Sequence, residues 1–210
     1  MDKIVNIIVI GYNFQELEVI CLKSIQQNTT YPYLLTFFDN FNSGYTLTKI
    51  WNKLVQCSPC EFICLLNNDT QVQKNWLDRM MATLLTGPKD VGFVGPSTDQ
   101  CHSLQKTIDK LEMADRYFGK AIRMTDPISG FCFLFRKSLW KKLGGFDEKY
   151  TLYGQESDLI DRAQNLGYYG YWRQDAFVHH VGEASVLASG INSKNEREKA
   201  KEIYWSTRKK

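Results

Sequence analysis

The sequence predicts a mixed α/β protein built on one central, mostly parallel sheet with helices on both faces. Apolar runs alternate with segments of helical spacing over residues 3–94, in the order β-α-β-α-β-α-β. The apolar runs are nearly continuous, which is typical of strands that are buried on both faces. Polar or glycine-rich residues follow the strands, as expected at the edge of such a sheet where ligands bind.

The first half of the chain contains the regular part of this pattern. Its predicted strands are 3–10, 33–38, 62–66 and 91–94. Its predicted helices are 15–27, 46–56 and 76–85. The second helix carries its apolar side chains on one stripe, and the third ends at Gly87-Pro88. This half is therefore expected to form a parallel sheet with right-handed crossovers.

The second half is less regular. Residues 97–125 are polar and weakly patterned, which is typical of a functional loop, although 107–117 could form a helix. The predicted strands that follow are 127–135, 168–172 and 176–178, and the predicted helices are 138–143, 157–166 and 196–206. The chain has no repeat and no low-complexity linker. We expect one domain, 1–210, with a nucleotide-binding half (1–96) and an acceptor or catalytic half (97–210).

Composition excludes some classes of function. The 210 residues are 43% hydrophobic, which is ample for a core, and the net charge of +3 is too small to favour a nucleic-acid binder. No apolar run approaches the roughly 18 residues of a membrane span. The N-terminus lacks the pattern of a secretory signal. No membrane span and a cytoplasmic location are therefore expected.

The cysteines favour structural roles. Cys57 and Cys60 form a C-x-x-C, but no second ligand pair stands at the spacing of a zinc site. A turn between a helix and a strand is the favoured interpretation. Cys21, Cys64 and Cys132 lie inside apolar patterns and are predicted to be core residues.

The third predicted strand ends in a possible cation site. The run 62–66 stops at Asn67-Asn68-Asp69, and a carboxylate at this position suits a divalent cation with oxygen ligands. The same residues fit a turn that caps the next helix. The ends of the first two strands, Gly11-Tyr12-Asn13 and Asp39-Asn40, would line the same crevice, which is where a nucleotide binds in open α/β sheets.

With these residues laid out, the chain resembles family 2 glycosyltransferases of the GT-A fold from about Ile4 to Ser185. The similar segments occur in the family's order: Val9 to Asn13, Phe38 to Ser43 (D-N-x-S), Leu66 to Asp69 (D-x-D), Gly130 to Glu148, Tyr153 to Leu159 (E-D-x-D-L) and His180 to Ser185 (H-x-G-x-x-S). There are two departures. Asn67 replaces the first acid of D-x-D, and Gln155-Glu156 replaces Glu-Asp.

The resemblance implies an inverting transfer of a sugar from a UDP- or dTDP-sugar to a glycan hydroxyl. It makes Glu156 the general base, with Asp158 beside it. Glu156 would begin a helix, where the ionised carboxylate is favoured. Asp69 and His180 would hold Mn²⁺ (or Mg²⁺) against the departing diphosphate. His179 is the alternative ligand, because adjacent side chains on a strand point to opposite sides.

Other family positions imply contacts with the donor and the acceptor. Asp39 would accept from the N3–H of a uracil or thymine ring, and Tyr12 would flank the base. The further nucleotide-binding candidates are Gly11, Asn13, Asn42, Asn52, Asn67 and Asn68. The acceptor-binding candidates are Trp76, Gly130, Asp147 and Tyr153. Each has an alternative as a cap, turn or core residue.

Two other functions are compatible with an α/β sheet of this kind. A sugar nucleotidylyltransferase would need a glycine-rich phosphate loop with a basic residue after the first strand, and Gly11 to Glu16 contains none. A degenerate glycosyltransferase that binds sugar nucleotide or glycan without turnover stays open because of Asn67 and Gln155. Compact enzymes of this type include rhamnosyl- and glucosyltransferases of bacteria and large DNA viruses. The charged C-terminal helix is compatible with one module of a longer enzyme.

Overall fold

A computed structural model of the chain describes residues 3–13, 15–101, 103–107, 117–182 and 190–208. Its strands are β1 (Val5–Gly11), β2 (Tyr33–Asp39), β3 (Phe62–Asn67), β4 (Thr70–Val72), β5 (Val91–Ser97), β6 (Ala121–Arg123), β7 (Cys132–Arg136) and β8 (Tyr169–His180). Its helices are α1 (Gln15–Asn28), α2 (Leu47–Cys57), α3 (Trp76–Thr86), α4 (Lys137–Lys142), α5 (Gln155–Gln164) and α6 (Ser193–Arg208).

The strands form one sheet in the order β2-β1-β3-β7-β5-β8-β4, with β6 paired to β8. In the described part of the chain β1, β2, β3, β5 and β8 run in one direction and the other three strands oppose them. The predicted α/β fold with a mostly parallel central sheet is confirmed. The strand predicted at 127–135 begins later, at Cys132, and enters between β3 and β5 antiparallel to both.

Alternate side chains of the buried strands build two cores, one on each face of the sheet. Val5, Ile7 and Val9 of β1 join α1 and α3 on one face. Ile8 and Ile10 join α2, α4 and α5 on the other. Since both faces are covered, both sets of strand side chains must be apolar, and this explains the continuous apolar runs of the sequence.

The strand register brings three polar segments to one edge. Gly11 pairs with Asp39 across β1 and β2, and Ile10 pairs with Asn67 across β1 and β3. The backbone N–H of Asn40 donates to the Gly11 carbonyl at 2.9 Å. The carboxyl ends of the three parallel strands therefore lie side by side.

The second half differs from the predicted elements in several details. The two strands predicted at 168–172 and 176–178 are one strand, β8, whose pairing with β5 shifts register between Pro96 and Ser97. The strands β4 and β6 were not predicted, because three residues are too few to show a period. Most of the helix predicted at 107–117 lies outside the described residues.

The helices and cysteines of the described residues bear on two predictions that were based on composition. No described helix combines the length and apolar character needed to cross a bilayer. Cys21, Cys64 and Cys132 are buried, as predicted, and Cys57 is exposed. Cys57, the last residue of α2, and Cys60, in the turn that joins α2 to β3, are both free thiols.

Candidate active site

The ends of β1 and β2 form an open, partly aromatic shelf. Asp39 is exposed, and its Oδ1 accepts from the Phe41 backbone N–H at 2.9 Å. The rings of Tyr12 and Phe41 meet edge to face at 5.9 Å between centroids. An exposed carboxylate beside two aromatic rings provides a hydrogen-bond acceptor and an apolar wall, which are the groups that a planar heterocycle requires.

The two asparagines predicted beside this shelf occupy turns. Asn13 and Asn42 are exposed and have φ values of 50° and 59°, in the left-handed region that asparagine tolerates better than most residues. Their side chains lie at the rim of the strand ends. The positive φ values are a sufficient reason for asparagine at these positions, and ligand contact by the two side chains stays a prediction.

Glu18 connects the first and third strand ends, and the sequence analysis missed it. Its Oε1 accepts from the Tyr12 backbone N–H at 2.8 Å and from Asn68 Nδ2 at 3.2 Å. A Cβ atom on Gly11 would lie 2.7 Å from the same oxygen, so only glycine permits this approach. The signal was present in α1, where Glu18 stands on the buried stripe with Cys21 and Ile25 at helical spacing.

Asp69 and His180 meet although they are far apart in the sequence. The pairing of β4 with β8 sets Thr70 opposite His180, and His180 Nε2 lies 3.3 Å from Asp69 Oδ1. Both residues are buried. The ring of His180 stacks on Phe131 at 4.9 Å, which fixes its plane.

The other ring nitrogen of His180 determines what Nε2 can do. Nδ1 lies 2.8 Å from the Gln100 carbonyl, which only accepts, so Nδ1 carries the proton. Burial lowers the pKa of His180, but the hydrogen bond and charge of Asp69 outweigh it, and the pKa is raised. The raised pKa favours the imidazolium form, whose Nε2–H points to Asp69, and in the neutral form the Nε2 lone pair faces the same carboxylate.

His179 points away from this pair. Its Nδ1 contacts the Asp99 carboxylate, and its side chain is 42% exposed. The two histidines thus alternate across β8, as the strand geometry requires. Of the two, His180 is the one beside Asp69.

Asp69 and His180 could provide two of the ligands of a cation, and a bound molecule would have to provide others. Among the described residues no cluster of three or more His, Cys, Asp or Glu side chains is arranged to hold a metal ion. One carboxylate and one imidazole fit a cation that takes its remaining ligands from phosphate oxygens and water. Asn67 is the last residue of β3, two positions before Asp69 in the sequence, and its backbone N–H donates to the Phe131 carbonyl at 2.8 Å.

Glu156 lies in the first turn of α5 against Gly130. A Cβ atom on Gly130 would lie 2.9 Å from Glu156 Cδ and from Oε1. Oε2 is buried, and no group in the described part of the chain hydrogen-bonds to it. Burial raises the pKa of Glu156, against smaller opposing effects of backbone hydrogen bonds and of Arg197. The expectation that the helix N-terminus would favour the ionised form is therefore wrong, because desolvation outweighs it.

Several contacts place Glu156 and the Asp69–His180 pair in one region. Phe131 stacks on His180, while its neighbour Gly130 lies under Glu156. Tyr153 links them electrostatically. Burial raises its pKa, Arg197 opposes this, and the charges of Glu156 and Asp69 raise it further. A carboxylate of raised pKa thus stands near a carboxylate–imidazole pair, and this combination is typical of catalytic sites.

Asp158 is committed to ion pairs. Its Oδ2 lies 2.8 Å from Arg162 Nε, and its Oδ1 lies 3.6 Å from Arg208 Nη2. The two guanidinium groups join α5 to α6 and to the Leu143 carbonyl, which also accepts from Arg162. These contacts give Asp158 a role in positioning the helix that carries Glu156.

Asn52 holds the loop 144–148 against α2. Its Nδ2 donates to the Phe146 carbonyl at 2.9 Å, and its Oδ1 accepts from the Phe146 N–H at 2.9 Å. Asn52, Asp147 and Arg162 line a cavity of about 470 Å³ beside that loop. Asp147 Oδ1 accepts from the Lys149 N–H at 3.0 Å. The structure therefore places Asn52 and Asp147 together, on the face of the sheet that α2 covers.

Trp76 is a core residue. Its side chain is fully buried among α1, α3 and β4, and Nε1 donates to Thr29 Oγ1 at 2.9 Å. No face of this indole is open to a sugar. The acceptor contact predicted for Trp76 does not fit this position, which its place on the apolar stripe of α3 explains.

No family model matches the chain. Over 125 residues it is 31% identical to uncharacterised proteins of Mycobacterium tuberculosis and Mycobacterium bovis, covering 58% of this chain and 47% of each of them. Over 53 residues it is 40% identical to the N-acetylglucosaminyl-diphospho-decaprenol L-rhamnosyltransferase of Mycobacterium tuberculosis, covering 25% of this chain and 17% of that protein. The chain thus spans about half the length, or less, of the curated relatives it matches.

Solved structures show the same fold at low sequence identity. GalNAc-T7 with UDP, GalNAc and Mn²⁺ matches with a TM-score of 0.64 and 11% identity, over 84% of this chain and 43% of that one. A mannosyltransferase of Pyrobaculum calidifontis with GDP-Man and Mn²⁺ matches with a TM-score of 0.62 and 16% identity, over 84% and 56%. The fold is that of GT-A-type glycosyltransferases.

Proposed function

We propose that the chain transfers a hexose or deoxyhexose from a nucleoside diphosphate sugar to a glycan hydroxyl, with inversion at the anomeric carbon. The observation that carries the proposal is the convergence of Glu156 with the Asp69–His180 pair on two adjacent residues, Gly130 and Phe131. The likeness to two nucleotide-sugar complexes and the short match to a rhamnosyltransferase support the same class of reaction.

Each group of residues has a separate role in the proposed inverting displacement. Glu156 would accept the proton of the acceptor hydroxyl as that oxygen attacks the anomeric carbon. Asp39 and Tyr12 would hold the base of the donor on the shelf of β1 and β2. Asp69 and His180 would hold Mn²⁺ or Mg²⁺, which when bound would offset charge on the diphosphate.

The half-buried side chain of Glu156, whose Oε2 is fully buried, suits a base. A carboxylate whose pKa is raised is a better proton acceptor than an ordinary glutamate, and it stays ionised near neutral pH when the shift is moderate. The missing side chain at Gly130 leaves room for the Glu156 carboxyl group itself, which lies against the position that a Cβ atom would take. The raised pKa of Tyr153 keeps its hydroxyl protonated, so that it can donate to a sugar or phosphate oxygen.

The experiment separates donor binding from transfer. Binding of UDP-, dTDP- and GDP-sugars is measured by thermal shift and calorimetry, with and without Mn²⁺, and slow donor hydrolysis is measured by release of the nucleoside diphosphate. Asp69→Ala should abolish the metal-dependent part of donor binding. Glu156→Gln should bind donor almost normally and lose about 10²–10⁴-fold in turnover, as expected for removal of a general base.

Matched controls are available on the surface. Asp126→Ala and Glu202→Gln change exposed acids and should leave both measurements unchanged. Near-full turnover by Glu156→Gln would contradict the assignment of the base. Metal-dependent binding without any turnover in the unaltered chain would instead favour a degenerate, non-catalytic binder. Asn67 and Gln155, which replace acidic residues of the family motifs, would then explain the lost activity.

A further inference from the structure

The strand β2 forms one end of the sheet. It is last in the strand order, and in the described part of the chain no further strand pairs with its outer side. Its seven residues pair with β1 in one continuous register, so the strand has no bulge. The backbone groups on the outer side of an edge strand form a row of donors and acceptors to which another strand can bind.

The sequence of β2 does not protect this edge. Natural edge strands are usually short or bulged, or they carry lysine, proline or an inward-pointing charge. The strand β2 has the sequence Y-L-L-T-F-F-D, and its one charged residue is Asp39 at the end. By contrast, β4 at the other end of the sheet has only three residues. The edge of β2 is therefore the long, apolar one.

Both faces of β2 expose large apolar side chains. Leu35 and Phe37 lie on the face that α1 covers and are 37% and 41% exposed. Leu34 lies on the other face and is 41% exposed. Neighbouring apolar side chains that stay exposed on a folded chain are typical of an interaction surface. A strand added to this edge would gain backbone hydrogen bonds and apolar contacts together.

The apolar pattern of β2 is symmetric about Thr36. Leu34 and Leu35 precede this residue, and Phe37 and Phe38 follow it. In an antiparallel pair of two β2 strands with Thr36 opposite Thr36, residue 35 of one copy faces residue 37 of the other, and residue 34 faces residue 38. Each exposed apolar side chain then meets an apolar side chain. This symmetry favours a second copy of the chain as the occupant of the edge.

Size and charge agree with such a pair. The paired strands and their side chains would bury on the order of 1,000 Å² in total, which is near the lower limit for a specific interface. The two Asp39 carboxylates would lie at opposite ends of the paired strands, about 20 Å apart at 3.3 Å per residue. This separation exceeds the screening length of about 10 Å, so the two charges hardly repel each other.

We propose that two copies of the chain pair through β2, antiparallel and around a twofold axis at Thr36, so that their sheets join into one. Such an interface uses the same surface of both copies, and each contact occurs twice. The inference does not depend on the proposed function. It places Tyr33 of the second copy opposite Asp39, at the end of the shelf formed by β1 and β2.

The first test measures the oligomeric state of the chain 1–210. Sedimentation velocity and light scattering should show a monomer at low micromolar concentration and a dimer at high micromolar concentration, as expected for an interface of this size. Leu35→Asp should raise the dissociation constant roughly tenfold or more, because pairing would bury a carboxylate against an aromatic ring. Leu166→Asp changes an exposed leucine after α5 and should leave the equilibrium unchanged.

The second test measures the register. In the proposed pair the Cβ atoms at position 36 of the two copies lie about 4.5–5.5 Å apart, close to the distance of a disulfide. Thr36→Cys should therefore give a covalent dimer on mild oxidation with copper–phenanthroline. Leu34→Cys is the matched control and should not, since position 34 faces position 38. The unaltered chain gives the background from its exposed Cys57.

The contrary results are specific. A chain that stays monomeric at high micromolar concentration would overturn the inference, and so would a dimer that Leu35→Asp leaves intact. Cross-linking through Leu34→Cys instead of Thr36→Cys would overturn the twofold register. If Leu35→Asp does not fold by circular dichroism, the comparison of the two cysteine variants decides the question, because neither adds a charge to the strand.

Discussion

The surroundings of Glu156 shield its carboxylate from water and also change its pKa. The proposed role as a base needs a carboxylate that is shielded from water, and burial raises the pKa of Glu156. Arg197 partly offsets this effect. The result is a carboxylate that holds its proton more strongly than an exposed glutamate and is costly to ionise in the folded chain.

This shift predicts opposite effects of pH on activity and on stability. The folded pKa lies above the ordinary value of 4.5, so kcat/KM should rise with pH through a limb above 4.5, as the base loses its proton. The contribution of Glu156 to folding is fully present below the unfolded pKa and is lost as pH rises through the folded one. Glu156→Gln should therefore melt higher than the unaltered chain at neutral pH, by up to a few degrees, and lose this advantage near pH 4.

Rate profiles and melting curves over the same buffers measure both effects. Glu202→Gln serves as the exposed control and should shift neither curve. A rate limb at or below the ordinary glutamate value, or a lower melting temperature for Glu156→Gln at neutral pH, would contradict this account of the carboxylate.

Single residues also show what the sequence could and could not predict. The apolar stripe of α3 already placed Trp76 inward, and the resemblance to a family suggested the acceptor role that burial excludes. Strand alternation stated that only one of His179 and His180 faces Asp69, but it could not choose between them. The choice depends on Asp99 and on the β4–β8 pairing, which no local pattern contains.

Helix α1 fixes the strand ends through Glu18. One carboxylate oxygen accepts from the backbone after β1 and from the side chain after β3, so the helix holds two loops of the site at a set distance. The neighbouring Gly11 leaves room for that oxygen. This contact couples the packing of α1 to the geometry of the shelf formed by the ends of β1 and β2.

We expect Glu18→Ala to weaken both the fold and donor binding. Removing the acceptor takes away two partly or fully buried hydrogen bonds, at a cost of about 1–3 kcal/mol in the free energy of unfolding. Urea denaturation and donor calorimetry measure the two effects. Glu16→Ala changes an exposed acid of the same helix and is the matched control. Unchanged donor affinity in a folded Glu18→Ala variant would mean that α1 stabilises the chain without shaping the site.

Element type and element direction differ in how far the sequence determines them. Continuous apolar runs identified β1, β3 and β5, whose side chains are buried on both faces of the sheet. They also identified β2, which is an edge strand with half-buried or exposed side chains. The run that forms β7 carries no mark of its direction, since a doubly buried strand has the same composition in either orientation. Its antiparallel pairing with β3 and β5 depends on the tertiary structure, which the local sequence pattern does not contain.

The strand order interleaves the two halves of the chain. The strand β7 comes from the second half yet lies between β3 and β5 of the first half. The long strand β8 then pairs with β5, β4 and β6. Residues 1–96 and 97–210 therefore contribute strands to one sheet, and we expect them to fold as a single unit.

A chain cut after Ser97 should not fold alone. Without β7, the facing edges of β3 and β5 have no partner between them, and unpaired apolar edges favour aggregation. We expect the fragment 1–97 to elute as aggregates in size-exclusion chromatography and to lack a cooperative melting transition, whereas the chain 1–210 shows one. A monomeric fragment with cooperative unfolding would mean that the two halves are separate units.

Gly130 has a consequence for how such a sequence can drift over generations. Its backbone needs no special conformation, and the atoms that a methyl group would meet belong to the movable end of Glu156. A substitution there would leave folding nearly intact and push the carboxylate aside. A lineage that relies on this chemistry is therefore held to glycine at position 130, while one that has abandoned turnover is free to vary it.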